Sequence, residues 1–218
     1  MPTVDEPLGL RERKRLRTHR TISETAIALF LQRGYDQVSI TEIAAAAEVS
    51  RRTLFAYFPS KDDLVLHRIA DHQDEAARVV RERAPGQAPL DALHRHLRSA
   101  LARRDPITGL CDNPEVVAFH QLIINTPALA SALSRYQARS EKALAAALRD
   151  ATPANDPQPE QLARLAAAQI IAIHNTLGRA NQERIAAGAT ADTIAPDALA
   201  EADRAHQLLR SGLQPYRS

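Results

Sequence analysis

The stretch from Ser39 to Lys61, SITEIAAAAEVSRRTLFAYFPSK, constrains the fold more than any other part of this 218-residue chain. Ser39 is followed three residues later by Glu42, which is the pattern of a capping box: each side chain bonds the other residue's backbone amide at a helix start. Apolar residues and alanines then recur at helical spacing as far as Ala47. The first half of the stretch therefore predicts a short, capped helix.

The second half predicts another short helix, after a tight turn at residues 48–50. Ser50 is expected to cap it, and it runs from Arg51 to Tyr57 with Leu54 facing the core. A short helix that buries one side and presents arginine at its N-terminal end is the form in which a recognition helix enters the major groove. The stretch is therefore interpreted as a helix-turn-helix that reads DNA.

Composition and charge agree with this interpretation. Alanine is abundant and aromatic residues make up only 4% of the chain, so the predicted fold class is all-α. Residues 1–61 hold ten Lys and Arg against seven Asp and Glu, whereas the rest holds eighteen against nineteen, so the basic excess lies with the DNA reader. The lone Cys111 excludes an internal disulfide, and no apolar run approaches the length of a membrane span, so we expect a soluble, cytoplasmic protein.

Many positions in this region agree in order and spacing with a known pattern. They are Phe30, Gly34, Tyr35, Ile43, Ala44, Ala47, Val49, Ser50, Thr53, Leu54, Phe55, Tyr57, Phe58, Ser60 and Lys61. Through them the N-terminal part of the chain resembles the TetR family of bacterial regulators. The resemblance implies a helix-turn-helix domain at 10–60, a ligand-binding and dimerisation domain at 61–218, and a palindromic operator in double-stranded DNA as partner. One departure is Glu48, where the family usually has glycine or a small polar residue. If its φ is positive, it costs about 1–2 kcal/mol.

The predicted DNA-binding residues are Thr41, Ser50, Arg51, Arg52, Thr53, Phe55, Tyr57 and Lys61. The two arginines are expected at base edges, because arginine is bidentate to guanine O6 and N7. Thr41, Thr53, Tyr57 and Lys61 match phosphate-contacting positions of the family pattern. Phe55 stands where the family usually has tyrosine, and it either contacts a thymine methyl group or packs ordinarily.

The remaining helices are predicted from prolines, glycines and apolar periodicity. About nine helices are expected: 10–33, the two of the motif, 61–84, 90–104, 114–125, 127–151, 160–187 and 196–213. Residues 1–9 are expected to be a disordered arm and 152–159 a proline-rich break. Residues 11–20, RERKRLRTHR, hold six Lys and Arg against Glu12. This basic run is interpreted as an extra phosphate clamp, with a solvated helix end as the alternative.

The last two helices are predicted to form a homodimer contact. Their apolar stripe comprises Leu162, Leu165, Ala166, Gln169, Ile170, Ile173 and Leu177. One recognition helix covers only a few base pairs, so a pair related by two-fold symmetry gives usable specificity. The alternative is that this stripe belongs to the core of a single chain.

The TetR resemblance also implies a pocket for a small-molecule effector in the C-terminal domain. The candidate lining residues are His120, Asn125, Tyr136, His174, Asn175 and Arg179, with ordinary core or surface roles as the alternative for each. Residues 114–150, with their TPAL element and alanine-rich helix, resemble TetR regulators that bind acyl-CoA-like ligands. The function predicted is a ligand-responsive transcriptional regulator, most simply a repressor.

Two other classes of function are alternatives. A DNA-binding regulator without a ligand differs only in lacking an internal cavity. A helical enzyme is disfavoured because the sequence has no nucleophile elbow, phosphate-cradling loop or paired-carboxylate constellation. The eight histidines show no zinc-ligand spacing, so no cofactor or metal is predicted.

Overall fold

The computed structural model describes residues 9–70, 72–152 and 160–212, and all regular elements within them are helical. The α-helices are α1 (Leu10–Arg33), α2 (Ile40–Ala46), α3 (Arg51–Tyr57), α4 (Asp63–Ala70), α5 (Glu75–Arg81), α6 (Pro89–Ala102), α7 (Pro114–Asn125), α8 (Pro127–Asp150), α9 (Glu160–Ala186) and α10 (Ala191–Ser211). A short 3-10 helix, Pro106–Thr108, precedes α7. The predicted all-α class is confirmed for the described residues. The predicted arm at 1–9 and the break at 152–159 lie almost wholly outside them.

The prediction of one long helix over 61–84 is wrong, because this segment forms α4 and α5 with a turn at 72–74 between them. Neither proline nor glycine marks the break. The Glu75 carboxylate accepts hydrogen bonds from His72 Nδ1 at 2.7 Å and from His96 Nε2, on α6, at 2.8 Å. These bonds hold the pKa of Glu75 well below its usual value. The bond from His96 joins the start of α5 to α6, a contact between residues 21 positions apart that the local pattern does not reveal.

The last helix begins at Ala191, five residues before the predicted start at Pro196. Thr190 caps it, because its hydroxyl accepts from the Thr193 amide at 3.2 Å. The Ala191 amide also donates to the Asp112 carboxylate at 2.8 Å, from the loop before α7. Pro196 therefore lies inside the helix and removes one intrahelical bond.

The described residues fall into two compact units. The first comprises the residues up to 68 together with 122–130, and the second comprises 69–121 and the residues from 131 onward. In the first unit α1, α2, α3 and the start of α4 enclose a core whose largest fully buried side chains include Phe30, Ile43, Leu54 and Phe58.

The second unit has two hydrophobic clusters built largely from small side chains. One joins α5, α6, α8 and α9 and comprises Ala77, Val80, Leu93, Leu144, Ala145, Ala147, Ala167 and Ile170. The other joins α6, α9 and α10 and comprises Leu101, Leu110, Ile185, Ala191, Ile194, Ala195, Ala198 and Ala202. Alanine lets helices approach closely at these contacts, which accounts for the composition of the chain.

In the described part of the chain, no single helix is long and apolar enough to cross a membrane. Together α7 and α8 reach that length and composition, but they are bent by 95° at the break between them.

Candidate nucleic-acid interface

The start of α2 carries the capping box that the sequence predicts. The Ser39 hydroxyl accepts from the Glu42 amide at 3.2 Å, and the Glu42 carboxylate accepts from the Ser39 amide at 2.8 Å. Arg33, at the end of α1, adds an ion pair to Glu42 at 2.9 Å. The bonds from Ser39 and the Arg33 guanidinium lower the pKa of Glu42 to about 2. Thr41, a predicted phosphate contact, lies exposed in this first turn.

The turn after α2 is a Schellman motif with glutamate at its left-handed position. The Val49 amide donates to the Ala44 carbonyl at 2.9 Å and the Glu48 amide to the Ala45 carbonyl at 3.1 Å. Glu48 has φ 55°, a conformation that costs a residue with a Cβ atom about 1–2 kcal/mol. The positive φ considered from the sequence is therefore present, and the turn forms in spite of its cost.

Helix α3 begins with a second cap. The Ser50 hydroxyl accepts from the Thr53 amide at 3.0 Å and lies 2.8 Å from the Thr53 hydroxyl. Both side chains, predicted as DNA contacts, thus help to hold the N-terminus of α3. The Leu54 side chain, on the face of α3 that packs into the core, is fully buried and anchors the helix.

The outer face of α3 presents Arg51, Arg52 and Phe55. All three are exposed, and 42% of the Phe55 surface remains open. Within the described part of the chain neither arginine forms an ion pair. Cations at a helix N-terminus oppose the helix dipole, so these arginines do not stabilise α3. An exposed phenylalanine between them adds an apolar contact surface, which suits a thymine methyl group.

The C-terminal side of α3 is held by Tyr57, Phe58 and Lys61. Phe58 is buried, and the His19 ring of α1 lies 4.4 Å from it and 6.1 Å from the ring of half-buried Tyr57. The Lys61 ammonium donates to the Tyr35 carbonyl at 2.5 Å and lies 4.3 Å from the centre of the Tyr35 ring. Burial lowers the pKa of Lys61. The side chain predicted to contact phosphate therefore also joins the segment before α4 to the α1–α2 loop.

Contacts among α1, α4 and the α1–α2 loop were not apparent from the sequence. The buried Ser23 hydroxyl donates to the Leu64 carbonyl at 2.9 Å and lies 3.1 Å from His67 Nδ1. The Tyr35 hydroxyl donates to the Asp62 carboxylate at 2.5 Å, and burial together with this bond raises the pKa of Tyr35. These contacts position α3 indirectly, and only their approach in space identifies them.

The six predicted effector-binding residues differ in burial and are divided between the two units. Asn125 and Arg179 are exposed, and Asn125 belongs to the first unit whereas the other five belong to the second. Tyr136 is buried, with the Arg139 guanidinium 5.0 Å from its ring centre. Asn175 is half-buried.

Two of these residues are histidines with perturbed titration. Burial lowers the pKa of His120. Burial, with the nearby His96 charge, lowers the pKa of His174 to about 4. Both imidazoles are therefore neutral at pH 7 and add hydrogen-bonding groups without charge to the second unit.

A groove of about 590 Å³ in the second unit is lined by other residues, namely His94, Asp203, His206, Gln207, Arg210 and Ser211. The His94 and His206 rings stack 4.1 Å apart, and the Asp203 carboxylate accepts from His94 and Arg98. The sequence did not single out this α6–α10 groove, because its two helices are far apart along the chain.

Comparison with known proteins supports the resemblance of the first unit to the TetR family. Residues 22–67 match the family described as bacterial regulatory proteins, tetR family. The HTH-type transcriptional regulator TcmR of Streptomyces glaucescens is 35% identical over 135 residues, 62% of this chain and 58% of the relative. The HTH-type transcriptional repressor LfrR of Mycolicibacterium smegmatis is 30% identical over 129 residues, 56% of this chain and 64% of the relative. The chain thus spans less than two thirds of either relative.

The fold extends this likeness beyond the matched segment. The crystal structure of a TetR-family regulator from Streptomyces coelicolor superposes with a TM-score of 0.53 at 20% identity, covering 89% of this chain and 96% of that one. Residues 22–67 of this chain thus match the tetR family of bacterial regulatory proteins, and the chain as a whole has the fold of that TetR-family structure.

Proposed function

We propose that this chain is a TetR-type transcriptional repressor that binds a palindromic operator in double-stranded DNA as a homodimer and is released by a small hydrophobic or acyl-type effector. The observation that carries the proposal is the outer face of α3, where Arg51, Arg52 and Phe55 are exposed while Leu54 is fully buried. The name of LfrR, a repressor, supports repression. Such a regulator acts in the cytoplasm, where bacterial DNA lies.

Recognition would divide between base edges and phosphates. Arg51 and Arg52 read guanine O6 and N7, each good bidentate pair being worth about 1–3 kcal/mol of discrimination. Phe55 contacts a thymine methyl group. Thr41 and Tyr57 bind phosphates that set the register, and Lys61 adds a phosphate contact through the ammonium hydrogens that Tyr35 does not use.

Dimerisation would use α9 and α10. On α9, Leu162 and Leu165 leave 48% and 51% of their surface open to solvent, and Gln169 is exposed. Ile170, from the same predicted stripe, is instead buried in its own chain's core. The stripe on α9 thus divides into a side that packs against its own chain and a side that is exposed to solvent. The outer leucines are the surface that a second copy would cover.

Effector binding would take place in residues 61–218. A ligand releases DNA only if it binds the DNA-incompetent dimer better, with a coupling of typically about 1–3 kcal/mol. The neutral, half-buried His120 and His174 suit an uncharged polar part of such a ligand. An acyl-CoA thioester is the ligand class to test first.

Selection from random duplex DNA tests the DNA-binding part of the proposal. We expect a two-fold symmetric site with half-sites about one helical turn apart. Arg52→Ala should relax specificity at one position of each half-site, whereas Arg81→Ala, an exposed arginine on α5, should leave selection unchanged. If Arg52→Ala weakened all sequences equally, its base-reading role would be wrong.

Phe55 has a test of its own. Replacing thymine by uracil in the selected site removes only the methyl group. This replacement should weaken binding of the unmodified protein and leave the affinity of Phe55→Ala unchanged. Equal weakening of both proteins would show that Phe55 does not read the methyl group.

Two measurements address the assembly and the effector. Sedimentation should show a dimer at micromolar concentration that Leu162→Glu with Leu165→Glu dissociates, and a 24 kDa species alone for the unmodified protein would refute the dimer. Titration calorimetry with acyl-CoA thioesters should show heat and loss of operator binding. Absence of heat would remove this ligand class.

A further inference from the structure

The N-terminal end of α1 extends past the core of its unit. Between Leu10 and Thr21 no residue is buried, and the first buried side chain is Ile22. At 1.5 Å per residue, residues 10–17, which precede half-buried Thr18 and His19, extend about 12 Å beyond the packed part of the helix. Apart from Leu10 and Leu16, which are exposed, the side chains of this stretch are polar, so it contributes little to the core of its own chain.

The charge of this end is also unfavourable for the helix itself. Arg11 and Arg13 lie in the first turn, where the helix dipole disfavours cations. Gly9, at the N-cap, supplies no side-chain bond. Two acids offset the basic residues only in part: Glu12 pairs with Arg15 at 2.8 Å and Glu24 with Arg20 at 3.8 Å.

The basic residues divide into two faces of the helix. At about 100° per residue, Arg11, Lys14 and Arg15 point within about 80° of Ile22, the direction of the core. We call these three residues the inner face. Arg13, Arg17 and Arg20 point at least about 140° away and form the outer face. Each face holds three cations, one of which is paired with a glutamate.

The inner face lies beside the end of the recognition helix. The ring of His19, one turn after Arg15 on α1, is 6.1 Å from the Tyr57 ring. Tyr57 is the residue proposed to bind phosphate at the C-terminal end of α3. A phosphate bound at Tyr57 would therefore lie beside α1, whose inner face carries Arg15, Lys14 and Arg11 in the turns before His19.

We propose that the inner face of α1 binds the phosphate backbone of duplex DNA beyond the base pairs that α3 reads, so that each protomer has a second, sequence-independent contact. The occupant follows from charge complementarity and from the position of Tyr57. The outer face takes no part. This inference rests on the proposed DNA-binding function and extends its footprint.

The two faces supply matched variants. Arg11→Gln, Lys14→Gln and Arg15→Gln together neutralise the inner face, and Arg13→Gln, Arg17→Gln and Arg20→Gln neutralise the outer face. Both triple variants remove three exposed cations from one helix and break one ion pair with a glutamate. Circular dichroism of both is expected to match the unmodified protein, because no replaced side chain is buried.

Binding is measured as a function of salt on the selected operator and on random duplex DNA. Each phosphate contact contributes about 0.9 to the slope of log K against log salt, so the inner-face variant should reduce that slope by about 2, for one contact per protomer, to about 5, for three. Hydroxyl-radical cleavage should show lost protection outside the core of each half-site. The outer-face variant should keep both the slope and the protection.

If the slope of log K against log salt were equal for the two variants, whether both were reduced or both unchanged, the inference would be overturned. A phosphate contact confined to the inner face must change the slope of the inner-face variant alone. Failure of the proposed function has a different signature: the unmodified protein would select no symmetric site. Because phosphate contacts do not depend on sequence, the comparison on random duplex DNA still decides whether the inner face binds DNA in that case.

Discussion

Gly109 offers a test of how tightly the loop before α7 is held against α9. Its φ is 72°, and a Cβ atom built on it would lie 2.1 Å from the Gly178 carbonyl oxygen and 2.9 Å from Gln182 Cγ. Beside this contact, the side-chain amide of Asn181 (Nδ2) donates to the Thr108 carbonyl at 2.9 Å. Backbone therefore meets backbone here with no room for a methyl group.

The cost of Gly109→Ala has two parts. The left-handed conformation costs alanine about 1 kcal/mol or somewhat more. Overpacking costs about 1–3 kcal/mol, and a clash with backbone belongs at the upper end because the carbonyl cannot rotate away as a side chain can. We expect Gly109→Ala to lower the free energy of unfolding by about 2–4 kcal/mol, or Tm by about 2–4 °C for each kcal/mol.

Gly188→Ala is the matched control. Gly188 has φ 96° at the end of α9, but a Cβ atom on it would meet nothing within 4 Å. Gly188→Ala should therefore lower the free energy of unfolding only by the cost of the left-handed conformation, about 1 kcal/mol. Urea unfolding followed by circular dichroism measures both variants. If Gly109→Ala cost no more than Gly188→Ala, the close approach to Gly178 would not be present in solution.

Two further predictions concern the turns that the structure resolves. Glu48→Gly should stabilise the chain by up to about 1 kcal/mol, since relief of the left-handed strain exceeds the added backbone entropy; a thermal melt that moved downward would contradict this. Glu75→Gln should cost about 1–2 kcal/mol at pH 7 through its weakened bonds to His72 and His96. The pKa of Glu75 in the folded chain lies below the usual 4.5, so the stability that its ionised carboxylate contributes is present above pH 4.5 and is lost as the pH falls below that value. The difference in free energy of unfolding between the unmodified protein and Glu75→Gln should therefore be smaller at pH 3 than at pH 7.

The sequence alone predicted the elements whose signals are local. Ser39 with Glu42 and Ser50 with Thr53 bond across three residues, and the helices they begin lie where the pattern places them. Gly34 ends α1 at the predicted residue. These interactions join neighbours in the chain, so they can be recognised before any fold is known. The exposed face of α3 follows from the same local pattern once Leu54 is assigned to the core.

Tertiary contacts decided the rest. Glu75, at the start of α5, bonds His96 of α6, and the Ala191 amide, at the start of α10, donates to Asp112 in another loop in addition to the local Thr190 cap. Lys61 is held by Tyr35, 26 residues earlier in the chain. In each case the partner is distant in sequence, and its energy appears only when packing brings the two groups within bonding distance. Local patterns therefore determined where most helices form, whereas only the folded structure shows the long-range bonds that Glu75, Ala191 and Lys61 make.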